Sequence, residues 1–402
     1  MSLGPVVFGA ALRGPSVTVP VRCRIPVVVT AVAAVFAALF ATPAPAGADT
    51  LGGRSALEIH AEQHVLAGHQ RARLEPATVG LSGARIPELV WSGELARLAR
   101  ASSDRMASRG SMGHDPRIGD TLGGTRHGDN VGFRAAGATT TAAAARADAN
   151  ALVRAWLASP GHRDNLRNAA FTHVGVGVTI DANGGTWATV VFQARGVQTA
   201  STGPRAIDID ARCPSTGTLS RLFRDVDGVH TQAIDCLSAA GIVTGTTSTT
   251  YAPDRSLTRA QTAMLLERTI LASDRSLPAP LRGAFTDVGS TSTSGPAIER
   301  LAAAGIVTGS SDGRFGPDTA ITRGELARML ETTVIYLDGD PIEARSGLFV
   351  DVPADARHAN AIDAAGEAGL IAGDTTGRFR AGDALQRDQA ASVLARFLVW
   401  RG

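Results

Sequence analysis

The 402-residue chain predicts a layered α+β sandwich over residues 49–196, followed by an all-α array of three helical repeats over residues 223–402. Three observations carry that reading. From Ser55 to Ala158 apolar residues recur at helical spacing, and from Val174 the period drops to 2. Beyond Phe223 the chain repeats itself, with Arg259, Arg323 and Arg387 at equal intervals.

The start is of a different kind. Residues 1–48 carry Arg13, Arg22 and Arg24 and no acid, then an apolar run from Ile25 to Ala41, then Ala46-Gly47-Ala48. A basic start, a short apolar core and a small-x-small end predict a secretory signal peptide cleaved after Ala48. Cleavage also removes Cys23 and leaves Cys213 and Cys236, an expected disulfide in an exported chain, although free thiols satisfy the spacing equally. No second hydrophobic span follows, so no membrane span is expected after cleavage. The formal charge of +2 gives no electrostatic footprint for a nucleic acid.

Within residues 49–196, Ser55 to Leu74 reads as a helix ended by Glu75-Pro76. Ser92 is an N-cap, with Glu94 in the first turn near the positive end of the dipole, and Gly110 closes that helix. A third helix is expected from about Thr140 to Ala158, where Ser159-Pro160-Gly161 stops it, leaving His162 on a fixed corner. Val174, Val176 and Val178 then face one way, while Gly175 and Gly177 leave the other face bare for a helix to approach. Asn183-Gly184 turns the chain, and Thr186 to Arg195 returns as the partner strand. His60 and His64 read as a solvated helix face, because Glu62 is misplaced for a zinc-protease helix. His127 lies close to Asp129, and His173 precedes a strand and is given no role. No G-x-S-x-G elbow is present, and the glycines at Gly175 lie inside a strand and not in a nucleotide loop.

The order W-S-G-E-L-A, G-H, G-D-N, W-L-x-S-P-G-H-R-x-N-L and V-G-V-G-V resembles the CAP superfamily of cysteine-rich secretory, antigen 5 and pathogenesis-related proteins. The resemblance implies an α-β-α sandwich with a cleft lined by two histidines and acidic residues, which in some members binds a divalent metal. Carried over by motif, these are His114 and His162, with Asp129 where the family usually has glutamate. Two imidazoles and one carboxylate suit an open three-ligand site for a metal such as zinc, and equally a hydrogen-bonded network joining three loops. The functions this leaves are a non-catalytic binding or wall-associated module, a metal-dependent hydrolase of peptide or cell-wall substrates using His114, Asp129 and His162, and a lipid-binding domain.

Residues 197–222, rich in Thr, Ser, Gly and Pro, read as a linker holding Cys213. Three units follow, at 223–284, 285–348 and 349–402. Phe223-Arg224-Asp225-Val226 returns at Phe285 and Phe349, and Ala240-Gly241-Ile242-Val243-Thr244-Gly245 returns at Ala304 and, more loosely, at Ala368. Ile234, Ile298 and Ile362 are the expected core of each first helix. Thr258-Arg259-Ala260-Gln261 and Thr322-Arg323-Gly324-Glu325 are capping boxes. The box fails at Gln386-Arg387-Asp388-Gln389, weakening that helix start by about 1 kcal/mol. A two-helix unit cannot bury its apolar face alone, whereas three can do so together.

These motifs, with Asp312 to Asp318 (D-G-R-F-G-P-D), resemble three S-layer homology (SLH) modules. The resemblance implies a pseudo-threefold spindle whose grooves bind secondary cell-wall polysaccharide, with Arg259, Arg323 and Arg387 contacting the polymer. An arginine beside a helix N-terminus suits a carboxylate, and it equally suits an interface between units. The expected protein is secreted and held at the cell wall, its SLH modules anchoring a CAP domain.

Overall fold

A computed structural model describes residues 53–135, 139–196, 207–210, 213, 223–344 and 347–401. The expected signal peptide and most of the expected linker lie outside these residues.

The first part begins with helix α1 (Ala56–Leu74), held at its start by a reciprocal capping box between Ser55 and Glu58. A single 3-10 turn (Pro76–Val79) and strand β1 (Val90–Trp91) lead to α2 (Gly93–Arg109). As expected, Ser92 caps that helix and Gly110 ends it in the left-handed region, where glycine carries no Cβ penalty. A short helix α3 (Pro116–Leu122), strand β2 (His127–Arg134) and helix α4 (Ala142–Ala158) follow.

At Ser159 the structure departs from the expected corner. Pro160 opens a further helix, α5 (Pro160–Arg167), so His162 lies in its first turn. Proline ends α4 and starts α5, because its fixed φ suits position N1, where an N–H would be orphaned anyway. Strands β3 (His173–Ile180) and β4 (Thr186–Gln193) complete a sheet of order β1-β3-β4-β2, parallel only between β1 and β3.

Helices cover both faces of the sheet. On one face α1 and α4 pack Val65, Leu66, Leu152, Val153 and Trp156 against Val174, Val176, Val178, Val190 and Phe192. On the other, α2 and α3 bury Leu95, Ala99, Ile118 and Leu122 against Val191. The bare glycine face receives α2 at close range. A Cβ on Gly175 would stand 2.1 Å from the Ala96 nitrogen, and one on Gly177 would stand 2.1 Å from the Arg100 nitrogen. The unpaired edge of β3 is satisfied from α1, as the Val178 N–H donates to Glu62 (3.2 Å) and the Ile180 N–H to Glu58 (3.0 Å).

In the second part each repeat holds two helices: α6 (Thr231–Ala239) and α7 (Arg259–Ala272), α8 (Gly295–Ala303) and α9 (Arg323–Asp338), α10 (Ala359–Glu367) and α11 (Arg387–Arg401). Both expected capping boxes are formed. Ile234, Ile298 and Ile362 are fully buried. The second helix of each repeat packs on the first helix of the next, α7 on α8, α9 on α10 and α11 back on α6. At the centre, backbone bonds close a ring. Leu257 N–H donates to Leu385 C=O (2.9 Å), Leu385 to Ile321 (2.9 Å) and Ile321 to Leu257 (3.0 Å). The aspartates of F-x-D-V hold the turns that support this ring. Asp225, Asp287 and Asp351 each accept two consecutive backbone N–H bonds, at 2.7 to 2.8 Å.

The two parts are docked through specific contacts. Gly93 N–H donates to Asp340 (2.6 Å), Arg146 to the Ala284 carbonyl (3.1 Å), His358 N–H to Glu88 (2.9 Å) and Arg357 to Glu75 (2.9 Å). His60 and His64 belong to this docked region and are not the solvated face expected of them. They are 1% and 2% exposed, their rings 4.6 Å apart, and His60 meets Phe285 edge-on. Burial, and next the Arg146 cation, holds His60 down at about 4, while burial, and next the His60 ring, holds His64 at about 2.

Candidate functional site

The cleft of the first part is assembled from three elements. His114 lies between α2 and α3, Asp129 on β2 and His162 in α5. His114 Nδ1 lies 2.8 Å from Asp129 Oδ2, with the imidazole well exposed and the carboxylate half-buried. An Nδ1–H donated to that carboxylate fixes the ring and its tautomer, leaving Nε2 with a lone pair. His162 is held below the ordinary imidazole value first by burial and next by the His114 ring, while Asp129 pulls the other way. The three expected residues are therefore neighbours.

What keeps them together is a pair of asparagines. Fully buried Asn130 donates through Nδ2 to the His162 carbonyl (3.0 Å). Asn165 Nδ2 donates back to Asn130 Oδ1 (3.0 Å) and to the Asp129 carbonyl (3.2 Å). The asparagines of G-D-N and H-R-x-N-L thus fasten α5 to β2. Gly128 makes the room, since a Cβ there would stand 2.9 Å from Asn165 Oδ1. Trp156, in the same stretch, donates from its indole to the Val131 carbonyl (2.8 Å). Sequence reasoning quoted these asparagines as motif letters without giving them a role. The signal available was an amide side chain next to the carboxylate and another three residues after His162.

His127 Nδ1 bonds the Thr125 carbonyl (2.9 Å), and His173 Nδ1 bonds the Thr172 hydroxyl (2.9 Å), so neither joins the cleft trio through a bond. Among the described residues no group of three His, Cys, Asp or Glu side chains is disposed to hold a metal ion.

The second candidate site lies at the junctions of the repeats. Arg259 stacks over Phe315 of the next repeat (4.7 Å), Arg323 over Phe379 (4.6 Å) and Arg387 over Tyr251 of the first (4.4 Å). In each case Nε also donates to the carbonyl of that aromatic residue at 2.9 Å. Arg259 adds an ion pair with Glu325 (2.7 Å), Arg323 a bond to the Ala372 carbonyl (2.8 Å) and Arg387 one to the Thr244 carbonyl (2.8 Å). The arginines thus join neighbouring repeats, and two of them also line open cavities. Arg323 borders one of about 480 Å³, and Arg259 one of about 830 Å³. His230 bonds the Ser392 hydroxyl of the third repeat (2.7 Å). Cys213 and Cys236 are joined by a disulfide, which ties the segment before the repeats to α6.

Family models agree with this architecture. The model of the cysteine-rich secretory protein family, CAP, matches residues 66–193, and that of the S-layer homology domain matches 222–263, 284–327 and 348–391. Similar curated proteins include an endoglucanase of a Bacillus species, 30% identical over 40% of this chain and 16% of that protein. A surface-layer 125 kDa protein of Lysinibacillus sphaericus is 33% identical over 24% of this chain and 8% of that protein. The chain thus spans at most 16% of the length of these two relatives. Among solved structures, an extracellular Bacillus anthracis protein containing an SCP domain covers 34% of this chain and 41% of its own, at 24% identity and a TM-score of 0.27. No helix among the described residues is long and apolar enough to cross a membrane. Residues 66–193 are a CAP domain and residues 222–391 carry three S-layer homology modules, the architecture of a secreted protein held at the cell surface and wall.

Proposed function

We propose that the three SLH modules anchor the protein to secondary cell-wall polysaccharide through the junction grooves bordered by Arg259, Arg323 and Arg387. The CAP domain then serves as a binding module presented at the wall. The observation that carries the anchor is the recurrence of one arrangement at every junction, a guanidinium laid on the aromatic ring of the next repeat. Such an arginine is already oriented, so less side-chain entropy is lost when it meets a carboxylate or hydroxyl of a polymer. A surface-layer protein among the relatives supports the same location. Several weak grooves give strong retention through avidity. The binding reading of the CAP domain is supported by its cleft, where the exposed His114 ring is already oriented by its bond to Asp129.

Cosedimentation with purified sacculi tests the anchor. The full chain should pellet with the wall, and the Arg259→Ala/Arg323→Ala pair should remain in the supernatant. Equal pelleting of both proteins, with both folded, would overturn it. For the CAP domain, turnover of wall peptide or glycan that disappears with His114→Ala would replace a binding role with a catalytic one.

A further inference from the structure

The two junction cavities are built from the same positions of successive repeats, Arg259, Arg314 and Phe315 in one and Arg323, Arg378 and Phe379 in the other. They differ in what closes them. The cavity at Arg323 is bordered by SLH residues alone, whereas the CAP domain lies across the cavity at Arg259. Helix α1 turns a stripe of Gln63, Ala67, Arg71 and Leu74 into that space, positions that share one helical face. Docking thus converts a groove between two repeats into a cleft between two domains, and the space is larger, at about 830 Å³ against 480 Å³.

One side chain on that CAP wall has no structural work assigned to it. The neighbouring Gln70 is spent on Leu89, donating to its carbonyl (2.7 Å) and accepting from its N–H (2.9 Å). Glu75 is paired with Arg357 (2.9 Å). The half-buried Arg71 guanidinium makes no hydrogen bond or ion pair with any described residue, and it lines the same cavity as Arg259 and Arg314. Arg314 meets Asp312 only at 3.9 Å, with both side chains exposed, and Asp287 is occupied by two backbone N–H groups. Beside Arg259, which Glu325 already pairs, the cavity therefore holds two guanidiniums that no carboxylate grips at close range, Arg71 from the CAP domain and Arg314 from the second repeat. Such a set suits a planar carboxylate, which a guanidinium grips with two parallel bonds.

We propose that the junction of repeats 1 and 2 is a composite subsite for a carboxylate-bearing saccharide, in which Arg71 of the CAP domain binds the same sugar segment as the SLH groove. This rests on the reading of the SLH modules as wall-polysaccharide binders. The CAP domain would then be part of the anchor's recognition surface as well as its cargo, and the junction at Arg323 would bind in a CAP-independent way.

The test uses the full chain and polysaccharide released from purified sacculi by mild acid, titrated calorimetrically. Wild type is compared with Arg71→Ala, Arg71→Lys and Arg323→Ala, and the polymer is used before and after chemical reduction of its carboxyl groups. Arg71→Ala should weaken binding about tenfold, the size expected for a lost charged hydrogen-bonding partner. Arg71→Lys should recover part of that loss, and the difference between wild type and Arg71→Ala should vanish with the reduced polymer. Arg71→Ala within twofold of wild type, alongside a weakened Arg323→Ala, would overturn the composite site and leave the anchor reading standing. An equal loss with the reduced polymer would also overturn it, because the partner would then not be a carboxylate. No binding by wild type would remove both readings. Because Arg71 makes no internal bond, Arg71→Ala should melt with wild type, and Arg71→Lys serves as the folded control.

Discussion

Asn165→Ala is the most informative single change in the CAP domain, since Asn165 holds the helix of His162 to the strand of Asp129. The substitution deletes two bonds, to the Asp129 carbonyl (3.2 Å) and to Asn130 Oδ1 (3.0 Å). It also strips Asn130 Oδ1, on a fully buried residue, of the Asn165 donor. A net hydrogen bond contributes about 1 kcal/mol, and a stranded buried acceptor costs about 1–3 kcal/mol. The expected loss is therefore about 2–4 kcal/mol, read by denaturant or thermal unfolding. Asn130→Ala should interact with it. The double variant should lose less than the two single losses combined, by about 1 kcal/mol or more, because each change alone strands the other's partner. The second readout is His162, which burial holds below its ordinary value. As α5 loosens, its titration by NMR should move upward. A variant within about 0.5 kcal/mol of wild type, with His162 titrating as before, would refute the account of the cleft as an asparagine-fastened structure.

Other expectations follow from packing, strain and burial. Gly175→Ala and Gly177→Ala each place a Cβ 2.1 Å from helix backbone and should cost about 3 kcal/mol or more. Gly161→Ala meets nothing within 4 Å and should be neutral or slightly stabilising in the same melting assay. Ala252 and Arg380 occupy the left-handed region (φ 59° each) at the position where the second repeat has Gly316 (φ 73°). Ala252→Gly and Arg380→Gly should each therefore gain about 1 kcal/mol on unfolding. Mild acid should weaken the docked form. With folded values near 4 for His60, 2 for His64 and 3 for His358, the unfolded chain takes up protons below about pH 6.5 while the folded chain does not. Stability then falls as pH drops towards those values, by about 3 kcal/mol at pH 4.5 from His60 alone, at ~1.4 kcal/mol per unit. The carboxyls of Glu62 and Glu88, which burial pushes up, offset part of this as they protonate. A melting temperature unchanged from pH 7 to 4.5 would count against buried histidines.

The parts of this fold that were legible in the sequence are those governed by neighbours along the chain. Ser55, Ser92, Thr258 and Thr322 cap helices because an N-cap hydroxyl answers to N–H groups two or three residues away. Gly175 and Gly177 announced a close helix because nothing else explains bare alternate positions in a strand. The strand at His127–Arg134 was illegible, since its burial does not alternate and two glycines interrupt it. His60 and His64 were misread because their cover comes from far along the chain, Phe285 from a surface more than two hundred residues away and Arg146 from α4, the helix beside α1. In the cleft, the motif letters located His114, Asp129 and His162. The asparagine clasp needed coordinates, because amide bonding depends on the register of β2 against α5 and not on spacing.

The backbone ring through Leu257, Ile321 and Leu385 has a consequence for how many repeats the protein can hold. Open helical solenoids grow or shrink by whole units and need polar end caps to stop them. Here each repeat gives one central N–H and takes one, so the circuit has no free end at which a fourth copy could attach. Removing one repeat leaves an unmet donor and an unmet acceptor facing each other across the gap. A two-repeat descendant would have to borrow the missing piece from another molecule, which makes exchange between copies the natural failure mode of a truncated chain and three its fixed stoichiometry.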